Sequence, residues 1–319
     1  MIEIESQVLI FVISFVLLSF SGRWLIESLK RISEFLGWKE FVVAFFITAF
    51  SVSLPNFFVG IIAALNKVPE LSFGDIVGGN VAELAFLGGL AALISKKGLS
   101  ANSKTVQGSS IFAIIAALLP LLLGADGSIS RIDGVLLILA FIFYVAWLFN
   151  KKERFEKLYD EIRGRITAKF VFKTTLIFVI SILVLLLSAQ GVVGSARFFA
   201  DYLKIPLTLV GILIVSVGNS LPDLSFVIQA AKKSDDWLLL GDLIGGTIIT
   251  ATLVLGIVSL ISPIKITDVP SIIVARIFLI ISALFFLFFI RTGKKITKKE
   301  GIFLLLIYIL FIAVEIFIK

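Results

Sequence analysis

Hydroxyl, amide and acidic side chains cluster around a proline at two places within apolar stretches of this sequence. Residues 51–56 read S-V-S-L-P-N, and residues 218–223 read G-N-S-L-P-D. A proline inside a helix removes one amide donor and clashes with the preceding turn, so both runs predict an interrupted helix with free carbonyls. At membrane depth, free carbonyls are tolerated only where protein or a water-filled cavity satisfies them. Together with hydroxyls and carboxylates, such carbonyls are ligands that a hard cation prefers.

These two runs supply the first group of candidate cation ligands. Their polar side chains are Ser53, Asn56, Asn219, Ser220 and Asp223. The alternative is a structural kink in which the serines satisfy the helix backbone and bind nothing. Duplication of the motif and the acidic residue in the second copy favour the cation site.

A second pair of polar runs follows each proline motif. Residues 74–83 read G-D-I-V-G-G-N-V-A-E, and residues 241–250 read G-D-L-I-G-G-T-I-I-T. Paired glycines allow another helix to approach closely. Glu83 lies in the middle of an apolar span, where a carboxylate is costly unless it faces a site or a partner. We therefore expect Glu83 to be a ligand, with Thr250 at the corresponding place in the second run.

Asp75 and Asp242 complete the candidate set, with two interpretations open. Asp75, Gly79 and Glu83 are spaced i, i+4 and i+8, so they share roughly one helix face and point towards one site. Alternatively, both aspartates are solvated acids in the first turns of their helices, where the helix dipole favours negative charge.

Composition identifies the class of protein that carries these residues. Hydrophobic residues make up 59% of the 319 positions, mean hydropathy is +1.11 and only 16% of residues are charged, which excludes an ordinary soluble domain. The chain has no cysteine and no histidine, so an ion or a proton has to be handled by oxygen. The net charge of +7 comes from short loops beside apolar spans. It therefore reflects membrane orientation rather than nucleic-acid binding.

The chain is an internal duplication. The run L-I-F-V-I-S at residues 9–14 returns at 176–181, a displacement of 167 positions that also relates both pairs of polar runs. Duplication in a membrane protein is typical of a transporter whose site lies between two halves.

Apolar runs long enough to cross about 30 Å of hydrocarbon predict an all-α integral membrane protein with ten transmembrane helices, five per repeat. They fall at 8–30, 40–66, 71–95, 105–125, 131–150, 170–198, 205–231, 237–262, 268–291 and 300–318. Residues 1–152 form the first repeat, 153–167 a charged cytoplasmic linker and 168–319 the second repeat.

Charge in the loops predicts the orientation. With the N-terminus outside, the loops after predicted helices 1, 3, 5, 7 and 9 are cytoplasmic, and they hold or adjoin all but seven of the 29 Lys and Arg. This is the asymmetry of the positive-inside rule. Because five is odd, the second repeat enters the membrane from the opposite side, so the repeats are inverted. We expect a multi-pass protein of the cell membrane with both termini outside.

The tandem pattern S-L-P-[acidic or amide] followed by G-[N/D]-x-x-G-[S/G] resembles the two alpha-repeats of the sodium/calcium exchanger family, within the cation/calcium antiporter superfamily. The resemblance extends over essentially the whole chain. It implies a secondary active antiporter, not an enzyme, that exchanges Ca²⁺ or a related divalent cation for Na⁺. It also implies a central site built from helices 2, 3, 7 and 8, with helices 1 and 6 sliding as a gate.

The same resemblance implies few binding partners. They are the transported inorganic cations, Ca²⁺ and Na⁺ or H⁺, and the lipid bilayer. We expect no permanently bound cofactor, no nucleic acid and no obligatory protein partner.

The chain is a divergent member by this pattern. The family usually has glutamate after each S-L-P, where this chain has Asn56 and Asp223. Asparagine or aspartate is common in the family where this chain has Glu83 and Thr250. The hypothesis that follows is that Asp223 and Glu83 together restore a centre with two carboxylates.

Three other functions are weighed against sodium/calcium exchange. One is a proton-coupled exchanger of Ca²⁺, Mn²⁺ or Mg²⁺ from the same superfamily, and another is a membrane scaffold that no longer transports. The third is an intramembrane aspartyl protease, since Gly-Asp occurs twice. Such proteases usually carry a further glycine ahead of Gly-Asp that is absent here, and a full-length duplication has no role in their chemistry.

Overall fold

Helices make up nearly all of the computed structural model, which describes residues 2–35, 53–149, 168–266 and 269–317. We number them α1 (Ile2–Phe35), α2 (Leu54–Leu65), α3 (Pro69–Ile94), α4 (Lys104–Leu123), α5 (Arg131–Phe149), α6 (Ala168–Leu203), α7 (Leu207–Lys233), α8 (Asp236–Ile261), α9 (Val269–Thr292) and α10 (Lys298–Phe317).

The prediction of an all-α membrane protein is confirmed. Within the described ranges, nine helices are long and apolar enough to cross a membrane, and α2 is a shorter apolar helix. Each described helix falls on one of the ten predicted spans. The first part of the second predicted span, and the predicted linker at 153–167, lie outside the described residues.

Two very short antiparallel ladders connect the repeats. Strand β1 (Leu99–Ser100) pairs with β4 (Lys295–Ile296), and β2 (Ser128–Ile129) pairs with β3 (Ile264–Lys265). The first ladder joins the loops after α3 and α9, and the second joins the loops after α4 and α8. Each ladder therefore takes one strand from each repeat, which interlocks the two halves.

Helices α1 and α6 are the longest of the described helices. They run for 34 and 36 residues, about 50 Å at 1.5 Å per residue, and they pack along each other. Their buried side chains, such as Phe15 and Leu185, form an apolar cluster with Leu54 of α2 and Val215 of α7. A separate and larger apolar cluster holds α3, α4, α5, α8, α9 and α10 together.

Three segments of π-helix interrupt α3, α7 and α8. They are Ala82–Leu87, Gly211–Val215 and Ile249–Val254, and the first and third are related by the same displacement of 167 positions. Single π-helical turns are rare and occur frequently at functional sites. Here two of them contain Glu83 and Thr250.

Candidate cation site

Glycines bring α3 and α7 into backbone contact beside the candidate ligands. A Cβ atom added at Gly78 would lie 2.6 Å from the carbonyl oxygen of Ile212, and one at Gly211 would lie 2.8 Å from the amide nitrogen of Asp75. Neither separation leaves room for a side chain. This crossing places Asp75 directly against α7.

Gly78 and its neighbour Gly79 give a matched test of this crossing. Nothing lies within 4 Å of a Cβ added at Gly79. We expect Gly78→Ala to lower the melting temperature in detergent by several degrees, because overpacking a tight contact costs about 1–3 kcal/mol. The Gly79→Ala control should melt close to the original protein. Equal melting temperatures for the two variants would contradict the assigned crossing.

Asp75 and Asn219 are joined at this crossing. The Asn219 amide nitrogen donates to both carboxylate oxygens of Asp75, at 3.0 and 2.8 Å. Asp75 is 1% exposed and Asn219 is 5% exposed. The contact connects α3 of the first repeat with α7 of the second.

The interpretation of Asp75 and Asp242 as solvated first-turn acids is wrong. Helices α3 and α8 begin at Pro69 and Asp236, which places both aspartates in the second turn, and both are buried. The sequence placed them too near the helix ends because both helices start several residues before their Gly-Asp pair.

The carboxylate of Glu83 lies against α8. Thr247 donates its hydroxyl to Glu83 Oε2 at 2.9 Å, and a Cβ added at Gly246 would lie 2.9 Å from Glu83 Oε1. The carboxylate thus occupies the space that a side chain at position 246 would fill. Gly246 is needed because it leaves room for Glu83.

The internal repeat relates the contact between Glu83 and Thr247 to a second contact, which joins Thr250 to Asn80. The Thr250 hydroxyl lies 2.9 Å from Asn80 Oδ1 and 2.9 Å from the carbonyl oxygen of Gly246. Asn80 and Thr247 were missing from the predicted set. The displacement of 167 positions relates 80 to 247 and 83 to 250, so the register of the repeat was the signal that could have identified both.

The proline motif of α7 is less disrupted than predicted. Pro222 lies inside the continuous helical segment Ser216–Lys233, so the predicted break in the seventh helix is wrong. A proline removes only one backbone hydrogen bond, and Ser220 donates its hydroxyl to the carbonyl oxygen of Ser216 at 2.8 Å, which ties the preceding turn together. Pro55 lies in the first turn of α2, where a proline is well tolerated.

Three oxygens of the predicted ligands are buried without a hydrogen-bond partner in the part of the chain that the structure describes. They are Ser53 Oγ, Asn56 Oδ1 and Asn219 Oδ1. Buried polar atoms are rarely left unpaired, because the loss of hydration is not compensated. An oxygen that lacks a donor is free to bind a cation.

Asp223 is the remaining predicted carboxylate. It is half-buried and follows Pro222 directly. Among the described residues, no three acidic side chains converge tightly enough to hold a metal ion by themselves. A cation bound here would need neutral oxygens as well as carboxylates.

The two repeats differ in exposure at matched positions. Leu54 on α2 is 6% exposed, whereas its repeat partner Leu221 on α7 is 57% exposed. Helix α6 covers α2, and Asn66 after α2 donates to Gln190 of α6 at 2.9 Å while its carbonyl accepts from Arg197. These matched positions of the two proline motifs therefore differ in how far the rest of the protein covers them.

One protein family matches this chain twice, once in each repeat. The family described as "Sodium/calcium exchanger protein" matches residues 6–150 and again residues 173–317. The two matches are displaced by 167 positions, as are the motifs in the sequence.

Individual relatives match over almost the full length. The chain is 29% identical to a membrane protein of Methanocaldococcus jannaschii, covering 95% of this chain and 96% of the relative. It is 26% identical to the sodium/calcium exchanger MaX1 of Methanosarcina acetivorans, covering 97% and 98%.

Solved structures of the sodium-calcium exchanger NCX_Mj have the same fold. One of them, from a crystal soaked with 2.5 mM Na⁺ and 10 mM Sr²⁺, aligns with a TM-score of 0.64 at 26% sequence identity. The alignment covers 97% of this chain and 99% of the exchanger.

Proposed function

Because this chain belongs to the sodium/calcium exchanger family, we propose that it is a secondary active antiporter that exchanges Ca²⁺, or a related divalent cation, for Na⁺ by alternating access. The observation that supports this most strongly is the set of buried oxygens without partners, on Ser53, Asn56 and Asn219. They lie on the two helices that carry the duplicated proline motifs. Membership of an exchanger family and a multi-pass helical fold agree with transport rather than enzymatic chemistry.

We assign the cation site to side chains from both repeats. Asp223 and Glu83 supply the negative charge, and the neutral oxygens come from Ser53, Asn56, Asn219, Ser220 and Thr250. Asp75 and Asp242 are buried beside them. Ca²⁺ accepts six to eight oxygen ligands in flexible geometry, which suits a mixture of carboxylates, amides and hydroxyls. The site has no permanent occupant in this proposal, since its ions are cargo.

The unequal exposure of the repeats supports alternating access. If two inverted repeats exchange conformations, a structure of one state shows each repeat in a different environment. The covered Leu54 and the exposed Leu221 differ in this way. We propose that the protein lies in the cell membrane with both termini outside, so that the exposed half of α7 faces the cytoplasm.

The Gly-Asp pairs do not support a protease. Protease chemistry needs two aspartates that share one water, but both oxygens of Asp75 accept hydrogen bonds from Asn219. The carboxylate of Asp75 is therefore engaged by Asn219 within the protein. We propose instead that Asp75 and Asn219 act together in cation binding.

Uptake of radioactive calcium into proteoliposomes tests the function and identifies the counter-ion. We expect an outward sodium gradient to drive uptake, and an outward proton gradient of equal size to drive far less. Liposomes without protein are the control. Uptake driven by protons alone would identify the proton-coupled alternative, and no uptake under either gradient would favour a scaffold that does not transport.

A further inference from the structure

The two ends of the Asn219 amide lie in different surroundings. Its nitrogen lies 3.0 and 2.8 Å from the two carboxylate oxygens of Asp75. Its oxygen is buried and has no hydrogen-bond partner among the described residues. One end of the side chain is therefore fixed, and the other is free.

The carboxylate of Asp75 determines the orientation of the Asn219 amide, with its nitrogen towards Asp75 and its oxygen away from it. An amide group can be turned by 180° with little change in shape, so its orientation follows from the hydrogen bonds around it. Turning Asn219 would place its oxygen against two carboxylate oxygens, which are acceptors with no hydrogen to share. The amide oxygen must then point away from Asp75.

This arrangement occurs once, although the surrounding sequence is duplicated. The displacement of 167 positions relates Asp75 to Asp242 and Asn219 to Val52. A valine side chain has no hydrogen-bond donor, so the corresponding pair cannot form in the other half. In agreement, no hydrogen bond to the carboxylate of Asp242 is found within the described ranges.

We propose that Asp75 is a positioning residue, which orients Asn219 so that its amide oxygen serves as a ligand for the transported cation. The proposal rests on the proposed function and goes beyond it by separating two roles. Asn219 contacts the ion, while Asp75 acts through Asn219 and contributes no ligand oxygen. The ion would be a hard cation that prefers oxygen, such as Ca²⁺.

Two substitutions at Asp75 test the orientation. Asp75→Leu keeps the size of the side chain and removes both acceptors, so the Asn219 amide can turn. We expect the KM for calcium to rise about tenfold, the effect of losing one hydrogen-bonding contact to a charge, with kcat changed less than twofold. Asp75→Asn keeps one acceptor and should give an intermediate KM. Calorimetric calcium binding to the purified proteins gives the same comparison without transport.

A double-mutant cycle distinguishes positioning from a general effect on the fold. If Asp75 acts through Asn219, then Asp75→Leu combined with Asn219→Ala should bind calcium no more weakly than Asn219→Ala alone. The matched control is Asp242→Leu combined with Asn219→Ala, for which the two losses should add. Additive losses for Asp75, or an unchanged KM in Asp75→Leu, would overturn the proposal. Absence of calcium transport and binding in the original protein would instead overturn the proposed function.

Discussion

Replacing Asp223 with asparagine is expected to abolish calcium transport and leave a folded protein that can be extracted from the membrane. The substitution keeps the size of the side chain and removes one of the two charges assigned to the site. Contacts between a charge and its partner are worth up to about 3 kcal/mol, so transport at low calcium should fall by roughly 100-fold or more. Calcium uptake under a sodium gradient measures the loss.

Asp201→Asn is the matched control for this variant. Asp201 lies near the end of α6 and is exposed, so its loss removes the same charge from the protein without touching the site. We expect uptake close to that of the original protein. Undiminished uptake by Asp223→Asn would show that Asp223 is not a ligand.

Replacing Glu83 with glutamine should reduce calcium uptake by a similar factor. This loss can be distinguished from unfolding. Glutamine keeps the side-chain oxygen that accepts the hydrogen bond from Thr247, and Gly246 leaves the same room for it. The fold should therefore survive while the second charge is lost. We expect calcium uptake to fall by about 100-fold.

Thr247→Val provides the complementary change. It removes the hydroxyl that holds Glu83 and leaves the negative charge in place, so calcium uptake should fall only by about tenfold, the effect of one hydrogen bond to a charged group. If Thr247→Val were as inactive as Glu83→Gln, the charge of Glu83 would not be the property that matters.

Much of the architecture was predictable because it depends on features that repeat at a fixed distance. Apolar runs of membrane-spanning length identified the helices, and the displacement of 167 positions identified the two halves. These signals extend over many residues, so local exceptions such as Asn56 do not obscure them.

The rest depends on contacts between segments that are distant in the sequence. Strands of two residues, such as β1, are too short to show an alternating pattern, and they exist because loops from the two repeats meet. Helix α7 continues through Pro222, which a rule based on proline alone does not predict. The pairing of Asp75 with Asn219 spans 144 positions, and no local motif predicts it.

Charge in the site limits what can be exchanged. If the site holds two carboxylates, Glu83 and Asp223, as we propose, it is neutralised by one divalent cation or by two monovalent cations. Exchange of one for the other then carries no net charge across the membrane. If Asp75 only orients Asn219, it does not alter this count. Asp242 would add a third charge only if its carboxylate reached the ion.

Simultaneous measurement of sodium efflux and calcium influx in proteoliposomes, with the membrane potential clamped, tests this account most directly. We expect two sodium ions to leave for each calcium ion that enters, and a potential of about 100 mV to change the flux little, although it is worth about 2.3 kcal/mol for each net charge moved. Calcium influx that continues at the same rate without internal sodium would contradict sodium/calcium exchange. A ratio of three, with a flux that depends on voltage, would contradict a site with two carboxylates.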